Sequence, residues 1–125
     1  MPQPLKAAES QTARFADVFS ALGNESRLAI LRLLLSAHPK GMVVGDIQAE
    51  LDIPGSTLSH HLDRLRAEDL LTVRRDGTFL WYAANTAALE GLLGFLFAEC
   101  CSRTQVVDGE ALIKVCEIKV KRRKS

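Results

Sequence analysis

The chain has 125 residues, 47% hydrophobic and 25% charged, the make-up of one globular domain with short arms, which excludes wholesale disorder. Its net charge of +1 conceals an asymmetry: ten basic and thirteen acidic residues lie up to Gly109, six basic and two acidic from Glu110 onward, so charge alone does not establish nucleic-acid binding. The longest apolar stretch, Ala83 to Ala98, contains Asn85, Thr86 and Glu90 and falls short of the roughly 20 residues a bilayer requires, and Met1 to Ser10 has no signal-peptide pattern, so a soluble cytoplasmic protein with no membrane partner is expected.

Residues 1–10 are polar, hold Pro2 and Pro4, and are expected to form a flexible N-terminal arm. Phe15, Val18, Phe19 and Leu22 then recur at helical spacing, and Gly23 stops that first helix. Asn24 is a good N-cap for a second helix, about Glu25 to Ala37, with Leu28, Leu31 and Leu35 on one face. The cluster His38-Pro39-Lys40-Gly41 breaks it. A short third helix is expected from about Val44 to Leu51 and a tight turn at Asp52-Ile53-Pro54-Gly55. A fourth helix then runs from Ser56 to Glu68 with Leu58, Leu62 and Leu65 as its buried stripe. The apolar period next changes from about 3.6 to 2. Two strand-like runs, Leu71 to Arg75 and Thr78 to Tyr82, flank Asp76-Gly77, a strong two-residue hairpin signal. That turn pairs Arg75 with Thr78, Val73 with Leu80 and Leu71 with Tyr82. Leu71, Val73, Leu80 and Tyr82 should pack on the helices, while Thr72, Arg74, Phe79 and Trp81 face away. A fifth helix, about Thr86 to Cys101, is apolar nearly all round, and a body this small needs a second subunit to bury it. Beyond Gly109, Cys116, Ile118 and Val120 alternate as in a strand, but Leu112, Val115 and Cys116 also suit a helical turn. The expected organisation is the arm, a folded domain over 11–109, and a C-terminal segment over 110–125 with Cys116 and the basic run Lys121-Arg122-Arg123-Lys124.

A short helix, a tight turn, a second helix and then a hairpin is the order of a winged helix-turn-helix, so the expected fold is mainly α with a β-hairpin wing, in the order ααααββα. The fourth helix has the chemistry of a reading helix. Its buried face is leucine, and its opening turns carry Ser56, Thr57, Ser59, His60 and His61, short hydrogen-bonding side chains where such a helix enters the major groove. The positive end of the helix dipole favours a phosphate at the same place. Arg64 and Arg66 lie further along, and whichever faces outward reaches the DNA backbone. The tip Arg74-Arg75-Asp76-Gly77-Thr78 fits a minor groove or a run of phosphates. The DNA-binding candidates are thus Ser56, Thr57, Ser59, His60, Arg64, Arg74, Arg75 and Thr78. No glycine-rich phosphate loop, HExxH or nucleophile elbow is present, so neither an enzyme nor a catalytic cofactor is expected.

The stretch Pro54-Gly55-Ser56-Thr57-Leu58-Ser59-His60-His61-Leu62, with Leu65-Arg66-Ala67-Glu68-Asp69-Leu70-Leu71 after it, resembles the recognition region of the ArsR/SmtB metalloregulatory repressors. Arg74-Arg75-Asp76-Gly77 followed by Tyr82 resembles their wing, and Asn24-Glu25-Ser26-Arg27-Leu28-Ala29-Ile30-Leu31 their second helix. The resemblance spans Phe15 to Phe97. It implies a homodimer paired through the first and last helices, and a repressor of operator DNA with an inverted repeat that an inducer releases. Asp69 stands where many members have glycine, a departure at the turn into the wing.

The thiols are Cys100, Cys101 and Cys116, an odd number that argues against a disulfide framework. Adjacent cysteines have Cα atoms only about 3.8 Å apart, below the usual disulfide range. Two neighbouring thiolates and a third from elsewhere suit a soft three-coordinate ion, so trivalent arsenic or antimony is the expected inducer. The thiol cluster that many family members carry at the start of the third helix is absent from Met42-Val43-Val44-Gly45-Asp46. A zinc-type site on the last helix is disfavoured, since Leu89 to Cys101 offers only Glu90 and Glu99 and no histidine. The chain resembles a subgroup of arsenic sensors with Cys-Cys ending the last helix, although Cys116 follows at a longer interval than theirs. The alternative is a redox- or sulfide-responsive repressor pairing Cys116 with Cys100 or Cys101. His60 and His61 on the reading helix and His38 in a loop offer no rival site.

Overall fold

The computed structural model describes residues 3–103, with side chains from Ser10 onward. In chain order the elements are α1 (Gln3–Leu22), α2 (Glu25–Ser36), β1 (Met42–Val43), α3 (Val44–Leu51), α4 (Gly55–Ala67), β2 (Leu71–Asp76), β3 (Phe79–Ala84) and α5 (Thr86–Phe97). They fall into two compact units, residues 1–92 and 93–125. The first carries the winged helix-turn-helix.

Local chemistry sets most of the boundaries. Helix α1 begins at Gln3, so residues 3–10, expected as an arm, have helical backbone. It ends before Gly23, and the Asn24 side chain caps α2 by accepting the Arg27 backbone N–H at 3.0 Å. Helix α3 closes on Asp52 in the left-handed region (φ +53), a conformation that Asp tolerates better than most residues. Three residues later α4 begins. Apolar side chains from every layer meet beneath it: Ile30 and Leu34 of α2, Ile47 of α3, and Leu58, Leu62 and Leu65 of α4 are all fully buried. Leu71, Tyr82 and Ala84 close this core from the sheet, Val18 and Ala21 from α1, and no polar or charged side chain among the described residues is buried in it.

The sheet differs from the sequence expectation in two ways. It has three antiparallel strands in the order β1-β3-β2, because Met42 pairs with Tyr82 and Val43 with Trp81. A two-residue strand has no period to read. Gly41 lets the chain enter it: at φ +82, a Cβ there would collide with the Tyr82 carbonyl oxygen. The hairpin register is also displaced by two residues. Asp76 pairs with Phe79, Arg75 with Leu80, Val73 with Tyr82 and Leu71 with Ala84, in place of Arg75 with Thr78 and Val73 with Leu80. The central turn residues are therefore Gly77 and Thr78, and of these only Gly77 has positive φ (+62). Glycine at the first central position is what a type II′ turn demands, and it outweighs the Asp-Gly pattern. A two-residue shift preserves the strand period, so the expected division of side chains between the two faces stands.

Helix α5 starts at Thr86 as expected, with Asn85 Oδ1 accepting the Ala88 N–H at 3.3 Å and Asn85 Nδ2 donating to the Asp69 carbonyl at 2.8 Å. Its end comes earlier than Cys101. After Phe97 the chain tightens into turns in which the Cys100 N–H reaches back three residues to the Phe97 carbonyl at 2.9 Å, and Cys101 adopts φ +63. Leu93, Leu96 and Phe97 are each at least half exposed.

Candidate nucleic-acid interface

Helix α4 separates its faces cleanly. Leu58, Leu62 and Leu65 point into the core, and Ser56, Thr57, Ser59, His60, Asp63 and Arg66 are exposed. At the N-terminus the cap position is Pro54, which makes no side-chain cap bond, and the first turn has no acidic residue. The first backbone N–H groups thus keep their positive field for an anion. Gln48 of α3 overlooks this end: a Cβ on Gly55 would lie 3.7 Å from Gln48 Nε2. Sequence reasoning missed Gln48, because only the turn at Asp52-Ile53-Pro54 brings α3 and α4 together there.

The two histidines of α4 have different surroundings. His60 is exposed. His61 is half-buried, and its Nδ1 lies 3.3 Å from Arg27 Nη1. A guanidinium has only donors, so Nδ1 accepts and the ring proton sits on Nε2. Burial holds the His61 pKa below its ordinary 6.5, and the charges of Arg27 and His60 push it the same way. Arg27 Nε also donates to the Ala21 carbonyl at 2.6 Å. One side chain of α2 therefore touches the end of α1 and the middle of α4.

The two arginines of α4 are also sorted. Arg64 turns towards the body, with Nη1 3.5 Å from Glu68 Oε2 and Nη2 3.5 Å from Ser20 Oγ. Arg66 lies on the side of Ser59 and Asp63 and is exposed. In the wing, Arg75 and Thr78 are exposed at the tip, and Arg74 lies against Trp81 with its Nη2 3.4 Å from the Lys40 carbonyl. These positions bring Ser56, Thr57, Ser59 and His60 together on α4, with Arg74, Arg75 and Thr78 on a separate projecting hairpin.

Cys100 and Cys101 lie in the second unit. Cys100 is exposed, Cys101 half-buried, and their sulfurs are 3.2 Å apart, beyond a disulfide bond of about 2.0 Å. Among the described residues no group of three His, Cys, Asp or Glu side chains is arranged to hold a metal ion, and Cys116 lies outside those residues. No described helix is long and apolar enough to cross a membrane.

Known proteins give this geometry a context. A helix-turn-helix domain family matches residues 22–74. Nodulation protein NolR of Rhizobium meliloti is 33% identical over 113 residues, which is 90% of this chain and 90% of that protein. The arsenical resistance operon repressor of Staphylococcus aureus is 33% identical over 76 residues, 61% of this chain and 70% of its own length. The solved structure of HlyU from Vibrio cholerae aligns with a TM-score of 0.60 at 28% identity, covering 74% of this chain and 98% of that one, and reduced HlyU aligns with a TM-score of 0.59 over 77% and 98%. A helix-turn-helix with a hairpin wing, shared with transcriptional repressors over 61–65% of the sequence and with NolR over nine-tenths of it, makes the chain a DNA-binding regulator rather than an enzyme, and it belongs to the ArsR/SmtB family.

Proposed function

We propose that two copies of this chain bind an inverted-repeat operator as a repressor, and that a trivalent arsenic or antimony species bound by cysteine thiolates releases it. Ser56, Thr57, Ser59 and His60 meet base edges or the phosphates beside them, and Arg66, in preference to Arg64, reaches the backbone from α4. Gln48 and the open N-terminus of α4 receive a phosphate. Arg74, Arg75 and Thr78 carry the wing contacts. The exposed Leu93, Leu96 and Phe97 of α5, and Phe19 of α1, favour pairing through the first and last helices.

The observation that carries the inducer reading is the 3.2 Å separation of the Cys100 and Cys101 sulfurs. Two sulfurs each about 2.3 Å from one centre and at right angles to each other are about 3.3 Å apart, so the pair can serve one soft ion without rearrangement. Cys116 supplies the third thiolate for arsenite, whereas a monomethyl arsenical needs only the pair. The arsenical repressor of Staphylococcus aureus among the relatives supports this reading. Binding must favour a dimer geometry that fits DNA poorly, because a ligand shifts an equilibrium only through differential affinity. The test is anaerobic titration of the reduced protein with arsenite, read by sulfur-to-arsenic absorbance and by anisotropy of labelled operator. Release from DNA in step with the absorbance supports the reading, and absorbance without release refutes it.

A second reading, a thiol redox or sulfide switch, is favoured by the existence of a reduced form of HlyU among the related structures. An oxidant or persulfide would then release DNA where arsenite does not.

A further inference from the structure

The outer face of the wing gathers a feature that the reading helix does not use. Trp81, the single tryptophan of the chain, lies on that face of β3 directly opposite Arg74 of β2. The Arg74 guanidinium carbon is 4.9 Å from the centre of the Trp81 ring, and so is Lys40 Nζ, which arrives from the loop before β1. Arg74 Nη2 also reaches the Lys40 carbonyl at 3.4 Å, which binds the loop to the hairpin. Both cations lie within the roughly 6 Å over which a ring quadrupole attracts charge. The ring is neutral, however, so it leaves both positive charges uncompensated. Neither is in an ion pair among the described residues, although Asp76 follows two positions along the same face of β2.

We propose that Lys40, Arg74 and Trp81 form a phosphate clamp that grips the DNA backbone beside the bases read by α4. The inference rests on α4 reading operator DNA and adds the flank of that site. A phosphodiester suits the cluster: Arg74 offers a planar fork, Lys40 a compact point charge, and the Trp81 ring attracts each of them before the anion arrives. DNA is the occupant the chain favours, because Arg74 continues into Arg75 and the Gly77–Thr78 tip, the part of the molecule that projects from the helices. A contact of this kind adds affinity on every sequence and carries no base preference.

The test uses the full chain and a duplex selected with the wild type from a random library. Lys40→Ala should weaken binding several-fold on every duplex and flatten the plot of log affinity against log salt by about 0.9, the share of one phosphate. Trp81→Leu should weaken binding with all charges retained, and Trp81→Phe should restore most of it. In the wild type, emission from the single tryptophan should change on duplex addition and return as salt displaces the DNA. A wild type that binds its duplex with unchanged emission, or a Lys40→Ala slope equal to wild type, overturns the clamp and leaves the α4 reading intact. An emission change with an acidic peptide and none with duplex assigns the cluster to a protein partner and also overturns it. If the wild type binds no selected duplex, the α4 reading falls and the clamp with it.

Discussion

Arg27 should act as the strut that sets α4 against α1, and Arg27→Met is the perturbation that tests it. The methionine keeps the stem length and removes the head group. It leaves the Asn24 cap in place, since that cap takes the backbone N–H. Lost with the guanidinium are the 2.6 Å bond to the Ala21 carbonyl and the 3.3 Å contact with His61 Nδ1. A hydrogen bond from a charged group contributes about 1.5–3 kcal/mol, and the longer, half-exposed one less, so the variant should lose about 2–3 kcal/mol. For a domain of this size that is on the order of 10 °C in Tm by thermal unfolding at pH 7.5. The same change removes one of the charges that depress the His61 pKa. His61 should therefore titrate below 6.5 in the wild type and move upward in Arg27→Met, without a full return because burial remains the larger cause. The sign for stability follows. The unfolded chain takes up this proton near 6.5 and the folded chain only at lower pH, so His61 costs nothing above 6.5 and destabilises progressively as pH falls from 6.5 to its folded pKa. Arg27→Met should narrow that window. A Tm change under about 2 °C, together with an unmoved His61 titration by NMR, would refute the strut.

Three further outcomes are expected. Leu93→Glu or Leu96→Glu should dissociate the proposed dimer and abolish operator binding together; a variant monomeric by sedimentation that still binds the full operator with wild-type affinity contradicts the proposed interface. Ser59→Ala or His60→Ala should lose about 1–3 kcal/mol of operator affinity wherever the side chain makes a good base contact, measured by anisotropy against operator and scrambled duplexes. Cys100→Ser and Cys101→Ser should each leave operator affinity nearly unchanged and abolish arsenite release; full release from the double variant would place the inducer elsewhere.

Much of this architecture is legible in the sequence because its signals are local. The leucine stripe of α4, the Asn24 cap and the change of period at Leu71 each occupy one short window. The missing pieces depend on partners distant in the chain. β1 is defined by its pairing with Tyr82 and Trp81, some forty residues on. The hairpin register turned on whether glycine takes the first or second central place of its turn. Likewise, Arg64 and Arg66 are equivalent on paper until Ser20 and Glu68 claim the former. The Lys40–Trp81 and Arg27–His61 contacts bridge long intervals of sequence, and no local motif announces either.

The core beneath α4 has a mechanical consequence. Leu58, Leu62 and Leu65 rest in an apolar core, with no buried polar or charged side chain among the described residues to key them in place. Such a seat resists withdrawal, since withdrawing the helix would wet all three leucines, yet a small tilt breaks no directional bond on that side. Orientation is left to the polar ties at the margin, Arg27 and Arg64 among them, so the tilt of α4 is set there while the leucine seat keeps the domain folded.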